Sequence, residues 1–96
     1  MYIKIHRSGD GFVVALCDED LINKTFEDGD LQLKVTEIFY KGEEKSEEEV
    51  IEILKTARNI NIVGEKSVKL ALDNNLISKD NVIKIGKVLH AQVLTL

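Results

Sequence analysis

The chain contains no proline, a single cysteine, and only two tyrosines and three phenylalanines as aromatic residues. One cysteine, Cys17, cannot build an internal disulfide framework. No stretch approaches the roughly 18 consecutive apolar residues that a membrane-spanning helix requires. The opening Met1-Tyr2-Ile3-Lys4-Ile5 lacks the basic, then apolar, then small-residue layout of a secretion signal. These absences lead us to expect a cytosolic protein. The missing proline, beside abundant Lys, Glu, Ile and Asn, is the composition of an AT-rich genome. The few aromatic residues form none of the sequence signatures of RRM, KH or OB domains.

What is present describes an ordinary folded chain. Its 96 residues, 44% hydrophobic and 31% charged, are expected to form one globular domain spanning 1–96, with enough buried surface for a single core. Net charge is −4, unevenly spread. Residues 1–49 hold 6 Lys/Arg and 13 Asp/Glu, and residues 50–96 hold 7 and 4, so the halves carry −7 and +3. The acidic total argues against a protein that coats DNA indiscriminately, whereas the basic half leaves room for one local polyanion site.

Residues 2–7 and 12–17 read as strands joined by the turn-forming Ser8-Gly9-Asp10-Gly11, hence a hairpin. The continuous apolar run Phe12 to Cys17 suggests a strand covered on both faces. Asp18 to Ile22 reads as a short helical turn with Asp18 as its cap. Glu27-Asp28-Gly29-Asp30 is a second turn. Leu31, Leu33 and Val35 alternate with polar residues, which predicts a half-buried strand continuing through Phe39 and Tyr40. Adjacent residues of a strand face opposite ways, so Phe39 is expected in the core, and Tyr40 as an edge-packing side chain or a stacking platform. The spacing predicts a helix over about 47–58. Ser46 and Glu49 make a capping box, Glu47 to Glu49 complement the positive end of its dipole, and Lys55 and Arg58 complement the negative end. A strand at 59–63, a helix at about 66–75 ending in the left-handed-tolerant Asn74-Asn75, a strand at 82–85 and a last strand at 89–96 complete the order β-β-β-α-β-α-β-β. The expected fold is α+β, a mixed sheet of about six strands with two packed helices, in which 59–63, 66–75 and 82–85 form a right-handed β-α-β unit.

Ile62-Val63-Gly64-Glu65-Lys66-Ser67-Val68 is the most informative stretch. A strand feeds through a glycine turn into a helix N-terminus, where free N–H groups and the dipole favour a phosphate. It lacks the first glycine and the spacing of a P-loop, so an NTPase is not expected. The bland alternative is a tight turn at Gly64 followed by solvated Lys66 and Ser67. The acidic turns around Asp18 and Asp28 lack EF-hand spacing. His6, His90 and Cys17 make at most an incomplete metal site. No metal and no cofactor is therefore expected. Cys17 reads as a buried inert thiol. His90 reads either as a strand-end side chain bonded to backbone or as a polar contact to a base or sugar at the sheet edge.

Several blocks together, Cys17-Asp18-Glu19-Asp20-Leu21, Lys24-Thr25-Phe26, Phe39-Tyr40-Lys41-Gly42-Glu43, Asn61 to Val68 and His90-Ala91-Gln92-Val93, resemble a family of small archaeal proteins known as domain of unknown function 424. The resemblance spans essentially the whole chain. It implies an archaeal source, RNA binding and a link to translation, and it supplies no catalytic residues. The leading expectation is a non-catalytic RNA-binding accessory protein for ribosomal or transfer RNA. Its contacts are expected at Arg58, Gly64, Lys66, Ser67 and Lys69, with Lys84, Lys87 and His90 nearby. The alternatives are a protein-interaction subunit using a sheet edge and the acidic half, and a small phosphoanion-binding protein or enzyme at Gly64 to Ser67. The absence of paired acid, base and nucleophile counts against an enzyme.

Overall fold

The computed structural model describes residues 1–9 and 11–95. Gly9 takes the left-handed conformation (φ 57°), and the chain folds back so that β1 (Tyr2–Ser8) and β2 (Gly11–Cys17) pair antiparallel from Tyr2–Cys17 to Ser8–Gly11. Asp10 of the expected turn lies outside the described residues. A 3-10 turn (Glu19–Leu21) leads to β3 (Thr25–Asp28) and β4 (Leu31–Lys34), a separate two-stranded hairpin around Gly29. Then follow α1 (Glu37–Tyr40), β5 (Glu43–Glu44), α2 (Glu47–Thr56), β6 (Asn59–Val63), α3 (Glu65–Asp73), a 3-10 turn (Lys79–Asn81), β7 (Val82–Ile85) and β8 (Val88–Leu94). The main sheet has six strands in the order β5-β1-β2-β6-β8-β7. Every pair of neighbours is antiparallel except β2 and β6.

The α+β class and the six-stranded mixed sheet agree with the sequence reading, but the membership of the sheet does not. The strand expected at 31–40 stops at Lys34, and the two residues of β5 take the sixth place instead. Thr36 is the physical reason: its Oγ1 accepts the Phe39 N–H at 3.2 Å and starts one helical turn, a local alternative that competes with strand pairing. Phe39 and Tyr40 therefore sit on one turn, edge to face at 4.8 Å. Tyr40 is the buried one, while Phe39 stacks on His6 at 4.7 Å. The expected β-α-β unit is split. β6 and β7 run parallel because both pair antiparallel with β8, which lies between them.

Two apolar clusters sit on the two faces of the sheet. Ile3, Val14, Leu16, Ile60, Ile62 and Ala91 pack under Val50 and Leu54 of α2 and Val68, Leu70 and Ala71 of α3. The capping box of α2 forms as expected: Ser46 Oγ accepts the Glu49 N–H and Glu49 accepts the Ser46 N–H. On the opposite face, Ala15, Cys17, Val63, Ile85 and Val88 pack under Tyr40, Val35, Phe26 and Leu33 of the α1 and β3–β4 layer. Among the described residues, no helix is long and apolar enough to cross a membrane.

Candidate functional site

The carboxyl ends of the parallel pair β2 and β6 define a crevice. After β2 the chain turns onto the β3–β4 face, and after β6 it enters α3 on the other face. In open α/β sheets this divergence is where ligands bind. The crevice is closed at its base by the protein itself. Asp18 follows β2, and its N–H donates to the Val63 carbonyl at 3.1 Å, which carries the ladder one residue further. Its carboxylate then accepts from Lys66 N–H (3.1 Å), Ser67 N–H (2.8 Å) and Ser67 Oγ–H (2.7 Å). A negative group receiving the first free donors of α3 is what the helix dipole favours. The anion at this helix N-terminus is therefore internal.

That contact explains Gly64. It stands at φ 114°, a conformation open to glycine and costly for L side chains. A Cβ there would lie 2.6 Å from both Asp18 carboxylate oxygens. Its N–H is engaged with the Leu89 carbonyl at 2.9 Å. Two assignments from the sequence are corrected here. Ser67 is fully buried and spent on Asp18, so it is not a solvated phosphate ligand, and Gly64 has no free N–H to offer. Asp18 is likewise not the side-chain cap of the 3-10 turn that it precedes, because it caps α3 instead.

Around the plugged helix end a cleft of about 490 Å³ remains. Lys24 enters it from the residue before β3, Lys84 from β7 and Lys87 from the β7–β8 turn, over Phe26, Val88 and Leu89. All three lysines are exposed. None is in an ion pair among the described residues. Asp20 and Glu65 also line the cleft. Lys66 begins α3 beside Glu65. Its ammonium lies close enough to Glu19 to help hold that carboxyl below its usual range, after the larger effect of the N-terminal ammonium.

The other sequence-derived candidates disperse. Arg58 precedes β6 whereas Gly64 follows it, which puts them roughly 20 Å apart along the strand. Arg58 cannot join Lys66 at one phosphate. Lys69 is bound to Asp73 at 2.7 Å on the outer face of α3. His90 lies on β8, inside the sheet rather than at its edge. Its Nδ1–H donates to the Ile62 carbonyl at 2.9 Å, and burial pushes its pKa down, opposed by that bond. The backbone-bonded reading of His90 describes it, and a base contact at a sheet edge does not. Cys17 is fully buried and its thiol is pushed up to about 12, first by burial and then by the Asp18 charge.

Residues passed over in the sequence form a second surface. On the face that carries Cys17 and Val63, alternation also places Asn59, Asn61, Gln92, Leu94 and Ile83. The α1 and β3–β4 layer covers only part of this face. Asn61 is held at its margin by the Tyr40 hydroxyl, which donates to Oδ1. Gln92 and Leu94 (66%) are exposed even though β8 is an interior strand, and Ile83 (48%) is exposed beside them on the edge strand β7. Beyond this face, at the amino end of β6, a groove of about 780 Å³ runs past Phe12, Ile53, Arg58, Asn59 and Leu94 and contains no carboxylate among the described residues. The period-two pattern Asn59-Ile60-Asn61-Ile62 was the available signal for an amide-bearing face.

Comparison with known proteins places this geometry in a family without assigning it a task. The crystal structure of an uncharacterized conserved protein from Methanopyrus kandleri superposes with a TM-score of 0.78 at 28% sequence identity, covering 99% of this chain and 92% of that one. No curated protein matches the chain. The family described as Protein of unknown function (DUF424) matches residues 6–96. An archaeal-type α+β protein that fits this description over nearly its whole length belongs to that family.

Proposed function

We propose that the protein is a non-catalytic RNA-binding accessory protein of the archaeal cytoplasm, linked to translation, and that it holds RNA phosphates at the cleft over the carboxyl ends of β2 and β6. The observation that carries this reading is the convergence of Lys24, Lys84 and Lys87, from three separate segments, on one cleft without ion-pair partners. Asp18, Asp20 and Glu65 line the same cleft, so its charge is balanced. Asp18 is spent on α3, however, and none of the three lysines is within ion-pair distance of a carboxylate among the described residues, which leaves their ammonium groups free to meet phosphates. Phe26, Val88 and Leu89 supply an apolar floor against which a sugar or base packs. Lys66 is not among the residues that line the cleft; its N–H stays with Asp18 and its ammonium acts on Glu19.

Phosphate contacts set affinity without reading sequence. Replacing Lys24, Lys84 or Lys87 with Ala is therefore expected to weaken binding to ribosomal and transfer RNA fragments uniformly. Each loss lowers the salt slope by about 0.7 for a single strand and about 0.9 for a duplex. Lys69→Ala is expected to change little, because that ammonium is already paired. Anisotropy titrations at several salt concentrations measure both quantities. Unchanged affinity and slope in the Lys84→Ala/Lys87→Ala protein would refute the site.

A further inference from the structure

The uncovered part of the sheet is the feature that the lysine cleft leaves unexplained. Interior strands normally bury both faces when layers pack on each side, yet Gln92 and Leu94 of β8 are exposed and Asn59 beside them on β6 is half-exposed. Asn59 and Leu94 are directly opposite in the ladder, as are Asn61 and Gln92. The surface is therefore a short array of amides interleaved with apolar side chains. Near β8 it carries no carboxylate: among the described residues, every β1, β2, β6, β7 or β8 side chain that alternation assigns to this face is neutral or basic, and Glu44 of β5, opposite Tyr2, lies at the far edge of the sheet. In a chain with 17 Asp and Glu, such a surface suits an anionic partner.

We infer that this bare face binds the unpaired bases of single-stranded RNA, which makes a single strand, rather than a duplex, the substrate class of the proposed RNA-binding function. The inference rests on that function. Amide side chains pair with base edges through one donor and one acceptor each. A flat face lets splayed bases lie on Ile83 and Leu94, contacts that a stacked duplex cannot offer. Charge complementarity sets the path. β8 runs from the lysine cleft at Val88 to the groove at Leu94, about 20 Å at 3.3 Å per residue. Lys87 stands just before its start, and Arg58 stands beside its end, where the Thr95 N–H meets the Arg58 carbonyl at 2.7 Å. A strand laid along β8 has cations at both ends and amides between them.

The test is a titration of the full chain with a labelled mixed-sequence single-stranded RNA and with the same sequence as a duplex. Asn59→Ala and Gln92→Ala proteins are compared with Lys84→Ala/Lys87→Ala. Gln92 is exposed and has no side-chain hydrogen bond among those described, so its replacement leaves the fold intact, and circular dichroism checks this. The expected result is a single-strand preference of at least about tenfold. It should be reduced by about fivefold or more in Gln92→Ala and in the Asn59→Ala/Gln92→Ala pair, with the salt slope unchanged. Equal affinity for duplex and single strand overturns the inference. So does a wild-type preference that the amide variants leave intact. If the lysine pair weakens binding while the amide variants are silent, only this inference falls. If neither RNA binds, and a protein partner occupies the face instead, both readings fall.

Discussion

Strand β6 is bounded by two unlike regions. At Gly64 the chain turns through a glycine-only conformation and buries Ser67, and the helix donors close on the Asp18 carboxylate. At Arg58 the helix before the strand has already ended at Thr56, the side chain is exposed, and the groove is lined by apolar residues and amide or hydroxyl groups. The first end looks like an anion site from the sequence and is filled from within. The second offers the sequence reading only Arg58, grouped there with the first end, and is open. A motif that builds a ligand site in one fold serves here to dock the loop after β2 onto α3, and the cations that remain for a ligand come from other segments.

Substitutions at the closed end should therefore act on stability. Asp18→Ala has the largest expected effect. It strands two backbone donors and a buried hydroxyl, and such losses cost about 1–3 kcal/mol each without strict additivity. A loss on the order of 3 kcal/mol in urea unfolding is expected. A loss below about 1 kcal/mol would mean that the contact is dispensable. Gly64→Ala follows, at about 2 kcal/mol, from a side chain forced into a positive-φ conformation against the Asp18 carboxylate. The double variant should cost less than the sum, because removing the carboxylate relieves the clash.

The closed end also carries a pH dependence. His90 pairs with Val63 across the ladder, and burial holds its pKa below the usual value. The folded state therefore keeps a neutral ring, whereas the unfolded chain takes up a proton as pH falls below about 6.5. Stability is present above that value and is lost as pH falls from it towards the folded pKa. His90→Gln should flatten this part of the stability profile. An unchanged profile would show that His90 is already solvated. Least affected should be Arg58→Ala at the open end, within about 0.5 kcal/mol of wild type. A large loss there would erase the distinction between the two ends.

Local chemistry was legible in the sequence wherever a short segment decides its own shape. The Ser8–Gly11 hairpin, the Ser46–Glu49 box and the left-handed Asn75 (φ 57°) all follow from neighbours within three or four residues. The segment 31–40 was misread because its apolar alternation and the Thr36 cap give conflicting signals, and the cap prevailed once Tyr40 found Asn61 across the core. The candidate site was less legible. The bond from Ser67 to Asp18 spans 49 positions in sequence, and nothing local announces it. Lys84 and Lys87 stand among the expected contacts, whereas Lys24 and Phe26 enter the sequence reading only as part of a family-resembling block, because only the docking of the β3–β4 hairpin beside β7 brings them to the cleft. Likewise, the amides of β6 and β8 become a surface only when strand order places these strands side by side with one face partly uncovered.

Mapping backbone amide shifts by NMR while a short single-stranded RNA is added tests the contrast between the two ends most directly. Shifts are expected at Lys24, at Lys84 to Val88 and at Asn59 and Gln92, while the Lys66 and Ser67 amides, held by Asp18, stay in place. The opposite pattern, with Lys66 and Ser67 moving and the lysine cleft and amide face silent, would mean that RNA phosphate displaces Asp18 from the helix, and would contradict the assignment of the helix terminus to structure.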